Sequence, residues 1–233
     1  MKKRNYVITL LILSISLTIT GCFPRIFSKK HLNIDTLDSI SNDIYLNGYY
    51  FHKREYDRNI ALGDTQEKNH TYKERAITTL FLYTNGYCHY SSSRPPINNQ
   101  ISSIDSLVVL NSYENSLLEF ENRVIKSPFF LRNSNNKSEI WNWGIYTTTK
   151  DSIYIQYYRN ELGLYYLIEQ KGEILSKEKY RLTTEREYKS RNSKGYIKNI
   201  DKTFEFKEYH PKPDSSNYIM KNKEKFGNNK TQQ

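Results

Sequence analysis

From Ile44 onward the chain repeatedly alternates apolar and polar residues with the two-residue period of a half-buried strand. Ile44–Phe51 is the first such stretch. Ala76–Tyr83 (AITTLFLY) is the second, with Ile77, Thr79, Phe81 and Tyr83 on one face and Thr78, Leu80 and Leu82 on the other. Asn85-Gly86 follows, a pair suited to the positive φ angles of a tight hairpin turn, and Tyr87–Tyr90 returns. After an interruption the pattern resumes at Trp141–Thr147, Ser152–Tyr158, Gly163–Glu169, Glu173–Thr183 and Thr203–Tyr209, with turns expected at Lys150-Asp151 and Lys171-Gly172. The polar stretch from Lys53 to Lys73 reads as a long loop between the first two strands.

The interruption has a different period. Ser91–Asn99, with three serines and Pro95-Pro96, breaks the strand pattern. From Asp105 to Lys126 the apolar positions Leu107, Leu110, Tyr113, Leu117, Phe120 and Val124 recur every three or four residues, which predicts a helix. Ser103 is its candidate N-cap and Pro128 its stop. The expected fold is therefore mainly β: an antiparallel meander of about eight strands over residues 43–210, with one inserted α-helix at about 105–126. Closing such a meander into a barrel removes its exposed edges. Eight strands enclose an interior that either fills with side chains or holds one small ligand. Residues 22–42 read as a polar tether and 211–233 as a disordered polar tail.

The start of the chain is apolar in another way. Lys2, Lys3 and Arg4 precede Tyr6–Ile19, an uncharged run of about 14 residues. That is shorter than the roughly 20 residues a membrane-spanning helix needs, and it has the length and basic flank of a secretory signal. Ile19-Thr20-Gly21-Cys22 then resembles the lipobox of bacterial lipoproteins: an aliphatic residue, a small one, Gly or Ala, and the cysteine. The resemblance implies that residues 1–21 are a signal peptide and that Cys22 is acylated on sulfur, cleaved free and acylated again on its new amino group. Each buried methylene contributes about 0.8 kcal/mol, so two or three acyl chains hold a protein on a membrane permanently where one binds only marginally. No acidic run follows Cys22, which favours a periplasm-facing position in the cell envelope. The membrane, through lipid on Cys22, is the one partner so implied.

Charge and composition narrow the rest. The formal net charge is +10, and losing Lys2, Lys3 and Arg4 with the signal leaves +7. No helix-turn-helix, zinc-finger or RNP signature accompanies that charge, so nucleic acid is not an expected partner. With Cys22 committed to lipid, Cys88 has no partner for a disulfide. Stability must come from an apolar core, and 21 tyrosines and ten phenylalanines supply it. The five histidines show no metal-ligand spacing, and no nucleophile elbow, phosphate loop or dinucleotide fingerprint occurs. Neither an enzyme activity nor a cofactor is expected. Cys88 and His89 are neighbours on a strand and point to opposite faces. Glu169 and Glu173 flank the expected Lys171-Gly172 turn among lysines, where solvated charge is the plain reading.

Leu46-Asn47-Gly48-Tyr49-Tyr50, Phe81–Tyr87, and Trp143–Tyr146 before Asp151–Gln156 resemble the uncharacterised small bacterial lipoproteins with lipocalin-like domains. Gly48-Tyr49-Tyr50 stands where lipocalins often carry Gly-x-Trp. The resemblance covers about residues 44–210 and implies a lipocalin-like barrel and a small-ligand cavity, though a shared fold does not carry function with it. Aromatic residues are the functional hint. Trp141 and Trp143 share a face with Ile145, Tyr154 shares one with Tyr158, and Tyr157 shares one with Ile155. Trp141, Trp143, Tyr154 and Tyr157 are thus the candidate ligand-binding residues. Two readings stay open: a membrane-anchored, non-enzymatic module holding a small hydrophobic ligand in its barrel, or an accessory envelope protein whose filled barrel docks a protein partner. Alternation does not say which face of each strand points inward.

Overall fold

Alternation and hairpin turns together dictate a closed sheet. The computed structural model describes residues 25–26, 28–37, 43–61, 69–95, 110–126, 140–189 and 194–227; Cys22, Ser103 and Pro128 lie outside them. A two-residue strand, β1 (Arg25–Ile26), precedes eight long ones: β2 (Gly48–Ala61), β3 (Asn69–Leu82), β4 (Tyr87–Ser93), β5 (Trp143–Thr148), β6 (Ser152–Glu161), β7 (Leu164–Ser176), β8 (Lys179–Tyr188) and β9 (Tyr196–Glu208). Each of the eight pairs antiparallel with the next, and β9 pairs back onto β2, so the meander closes into an eight-stranded barrel. β1 runs parallel to the start of β7, with Arg25 opposite Leu164 and Ile26 opposite Tyr165. The fold is the mainly β meander barrel that the pattern predicts.

Two ends follow from the strand order. The lower end carries the tight turns β3–β4, β5–β6 and β7–β8. The upper end carries the β6–β7 turn and the β2–β3, β4–β5 and β8–β9 connections. At the β3–β4 turn Tyr83 N donates to Tyr87 O; the chain turns where the Asn-Gly pair predicts, with a positive φ of 79° at Gly86 alone of the two.

Side chains divide into two cores by parity. Inside the barrel lie Tyr50, Leu80, Leu82, Cys88, Tyr146, Ile155, Tyr157, Ile168, Tyr180, Leu182 and Phe204. On the outer wall a second core forms from the opposite parity, including Tyr49, Phe81, Trp143, Ile145, Tyr158 and Leu167. Non-strand segments cover it. The helix α1 (Tyr113–Lys126) lays Phe120 on Tyr49 and Phe81, with ring centroids 5.1 and 5.8 Å apart. Ser112 Oγ accepts from Asn115 N at its start, and Ser116 Oγ donates to Arg75 O on β3.

Three expectations change. The loop expected at 53–73 is a hairpin, because β2 runs on to Ala61 and β3 begins at Asn69. Its residues are polar on both faces, so no apolar alternation marks it. Cross-strand charge pairs hold it instead: Glu55 with Arg75 at 3.3 Å and Asp57 with Lys73 at 3.4 Å. The turn expected at Lys171-Gly172 is strand. A Cβ at Gly172 would sit 2.0 Å from Arg181 O, and the β7–β8 register shifts there, so this glycine serves a bulge. The chain turns at Lys177-Glu178. Finally, the stretches read as tether and tail are folded where described. Leu32, Ile34 and Leu37 are buried in the outer core, as are Tyr218, Ile219 and Phe226 around the short helix α2 (Tyr218–Lys221), which Asn217 caps. Gly227 N donates to Lys29 O, tying the two termini together.

Candidate functional site

The barrel interior is the first place to look for a ligand, and rings occupy its lower part. Tyr50, Tyr180 and Phe204 follow one another at 4.9 and 5.0 Å. Tyr90 and Tyr157 stack at 4.3 Å, their planes 6° apart. Tyrosine hydroxyls reach the lower end and bond to turn carbonyls: Tyr50 to Lys177 O at 2.7 Å and Tyr146 to Tyr83 O at 2.8 Å. This is the use of tyrosine that the composition suggests, ring inside and hydroxyl at the edge.

Towards the upper end the inner face turns ionic. Glu185 accepts from Gln170 Nε2 at 2.5 Å and is bridged by Lys198 at 2.6 Å and Lys202 at 2.9 Å. Burial pushes its carboxyl up, but the hydrogen bonds and charges of Lys198, Lys202 and Gln170 outweigh that and hold it down at about 2. Glu74, fully buried, accepts from Tyr56 OH at 2.6 Å and from Arg58 at 2.7 Å, with Arg94 at 3.8 Å. β2 and β9 pair only from Gly48 to Phe51, and their edges part above that point, where His52 Nδ1 donates to Thr203 O. A concavity of about 580 Å³ opens there against His52, Arg54, Tyr56 and Arg94.

A better-defined cleft, of about 410 Å³, lies on the outer wall. Its floor is the outward parity of β5–β8: Thr147, Tyr154, Glu169, Lys171, Arg186 and Tyr188. Its other side is the strap of residues 30–33. Gln156, fully buried on β6, fixes that strap by accepting from Asn33 N and donating to His31 O, both at 2.8 Å. The His31 ring stacks on Tyr188 at 4.8 Å, 15° from parallel. Burial, and then Lys30, hold His31 below the usual imidazole value, so it is neutral at pH 7.

Charge in the cleft is lopsided. Lys30, Lys171 and Arg186 face a single carboxylate, Glu169, which lies 3.6 Å from Lys171 Nζ and 3.8 Å from Arg186 Nη1 and accepts from Tyr188 OH at 3.1 Å. Arg186 Nη1 donates to the same Tyr188 oxygen at 3.0 Å. Arg186 Nε is buried and finds no acceptor among the described residues. A buried donor left unmet costs about 1–3 kcal/mol.

The four candidate aromatic residues go to different places. Trp141 is exposed in the turn before β5, Trp143 is buried on the outer wall between Tyr83 and His89, and Tyr157 is inside the barrel. Tyr154 alone lines the cleft, and Asn33 Nδ2 donates to its hydroxyl at 3.3 Å. Glu169 and Glu173 both sit on β7, opposite Arg186 and Arg181, so no hairpin brings them face to face. Cys88 points inward and His89 outward. Burial pushes the Cys88 thiol well up and holds His89 down at about 3, so both are neutral. Among the described residues no group of three or more His, Cys, Asp or Glu is placed to hold a metal ion. No helix among them is long and apolar enough to cross a membrane.

Reasoning from sequence missed His31, Lys171, Arg186 and Gln156. One signal was present: Tyr154, Gln156, Glu169 and Lys171 share the outward parity of adjacent strands. The strap had another, since Leu32, Ile34 and Leu37 are apolar within a polar stretch. In comparison with known proteins, no family model, no curated protein and no solved structure matches this chain.

Proposed function

We propose that this chain is a non-enzymatic lipoprotein of the bacterial envelope, held periplasm-facing on a membrane by lipid on Cys22. Its barrel, packed with rings in its lower part, serves as a rigid scaffold, and its binding site is the outer cleft. The ligand is a small anionic molecule with a ring face, such as an acidic saccharide. The observation that carries this reading is the set of three cations, Lys30, Lys171 and Arg186, around the single carboxylate Glu169 in that cleft. Arginine offers a planar fork to a carboxylate or phosphate, and the stacked pair His31–Tyr188 and the Tyr154 ring line the cleft beside it.

Weighing against a carrier of apolar molecules in the barrel are the stacked rings of Tyr50, Tyr180, Phe204, Tyr90 and Tyr157, which stand where such a ligand would lie. The ring-packed lower barrel is shared with the second reading of the sequence, an accessory envelope protein that docks a protein partner; the cleft proposed here takes a small molecule instead.

The test is a thermal-shift titration with glucuronate and with inorganic phosphate, on the wild type and Arg186→Ser. A ligand at 100 times its Kd stabilises by about 2.7 kcal/mol, so a rise in Tm with glucuronate that the variant lacks is expected. Equal shifts in both proteins, or none, sink the cleft assignment. A native mass showing a lipid released only on denaturation would restore the carrier reading.

A further inference from the structure

The exposed apolar residues are not spread evenly. Eight large ones are exposed among the described residues: Tyr45, Leu118, Trp141, Leu162, Leu164, Leu175, Tyr196 and Ile197. Five of these, Trp141, Leu162, Leu164, Tyr196 and Ile197, stand at the upper end of the barrel. Trp141 precedes β5, Leu162 and Leu164 form and follow the β6–β7 turn, and Tyr196 and Ile197 begin β9. Only Tyr45 and Leu175 stand near the lower end, whose turns are otherwise built from Thr84, Asn85, Lys150, Asp151, Lys177 and Glu178.

Leu162 is the sharpest of the five. It is 98% exposed, and its φ is 52°, followed by Gly163 at 81°. Both central residues of this two-residue turn are left-handed, the geometry that favours Asn-Gly or Asp-Gly. A leucine there is disfavoured by the backbone and by water at once. Neither the turn nor either core explains it.

The chain's own layout says what this end meets. β1 lies against Leu164 and Tyr165, beside the same turn, and Cys22 precedes β1 by three residues. Three extended residues reach about 10 Å. On the lipid anchor proposed above, at most that length of chain separates the acylated residue from β1 and the turn beside it. Arg159 and Lys194 are exposed at this end, and Lys189 bridges Glu161 at 3.7 Å and Glu187 at 3.5 Å. Exposed basic groups suit anionic headgroups, and tryptophan and tyrosine suit the interfacial zone.

We propose that the upper end of the barrel is a bilayer-docking surface, with Leu162 as its inserting tip and Trp141, Leu164, Tyr196 and Ile197 around it. This rests on the lipid anchor at Cys22 and adds an orientation: the barrel axis stands towards the membrane, the polar lower turns point away, and the outer cleft lies on the flank between the two ends.

The test uses the full chain, processed in a bacterial host and reconstituted into vesicles of phosphatidylethanolamine and phosphatidylglycerol. Leu162→Cys and, as a control, Lys150→Cys are labelled with an environment-sensitive dye; Cys88 is fully buried and stays unlabelled in the folded protein. The expected result is blue-shifted emission at position 162, quenched severalfold by spin-labelled lipid, and an aqueous signal at 150. Intact mass reports acylation of Cys22 separately. An acylated protein whose dye at 162 is aqueous, or equal to that at 150, overturns the docking surface and leaves the anchor standing. A protein without acyl mass overturns the anchor, and the orientation with it. Leu162→Asn suits the turn better, so it folds; acylated, it is expected to leave the remaining tip residues less deeply inserted.

Discussion

The two cores of this barrel are made from the same residue types and held in different ways. Tyr49 and Tyr50 are adjacent, both buried, and belong to opposite cores. Tyr50 faces a ring stack built entirely from strands that hydrogen-bond into a closed circle. Tyr49 faces Phe120 from α1 and Tyr209 from the chain beyond β9, and its hydroxyl donates to Glu121 at 2.7 Å. The inner core is enclosed by the barrel itself. The outer core exists only while strap, helix and C-terminal segment stay down. The same difference places the cleft on the outer wall, where an irregular segment lies over a sheet and leaves space at its margin.

The largest expected effect tests that difference directly. Phe204 and Phe226 are both almost fully buried, one in each core. Phe204→Ala removes a ring between Tyr180 and His52 that strands cannot move to fill, and should cost about 3–5 kcal/mol. Phe226→Ala should cost less, about 2 kcal/mol, because a short terminal segment can settle into the gap. Chemical denaturation of both variants measures this. Equal losses would mean that the outer core is as tightly enclosed as the inner.

Next in size is acid. Glu185 titrates at about 2 in the folded barrel against about 4.5 unfolded. A depressed carboxyl contributes stability above its unfolded value and loses it as pH falls through the folded one. On the order of 3 kcal/mol present at neutral pH should therefore drain away between about pH 5 and pH 2. Denaturation midpoints across that range should fall in the wild type and fall much less in Glu185→Gln. Parallel curves would assign the acid sensitivity elsewhere and remove the inner rim's claim to be an ionic lock.

Which parts were legible follows the same division. Strands with one apolar face announce themselves, and the meander, the Asn85-Gly86 turn and Phe120's place on a helix could all be read. The β2–β3 hairpin could not, since Arg54, Tyr56 and Arg58 alternate with Glu55 and Asp57 and neither face is apolar. Nor could the inward parity, because Phe81 and Leu82 are equally buried on opposite faces of one strand. Apart from α1, the outer cover depends on two short apolar clusters, Leu32–Leu37 and Tyr218–Met220, and on Phe226, too sparse to give a period. The cleft was the least legible part, being made where such a cluster crosses four strands.

A smaller effect probes the strap. Gln156 holds residues 31–33 with two hydrogen bonds from a fully buried amide. Gln156→Leu keeps the volume and removes both, leaving His31 O and Asn33 N without that partner, at a cost of about 1–3 kcal/mol. Faster amide exchange confined to the strap is expected, with the strands protected as before. Faster exchange through β5–β7 as well would show that the outer cover is part of the barrel's own cooperativity.

The smallest effect concerns a residue that belongs to neither core. Leu162 holds a left-handed turn position in full contact with water. Replacing it by asparagine should relieve the backbone by up to about 1 kcal/mol. For a chain of this size that is a rise in Tm of about 2–4 °C. A stabilising substitution at a position that buries nothing would mean that the leucine is kept at the expense of the fold, as expected of a group whose contact is with something outside the molecule. A fall in Tm would mean that the turn prefers its leucine, and Leu162 would then belong with the architecture of the barrel.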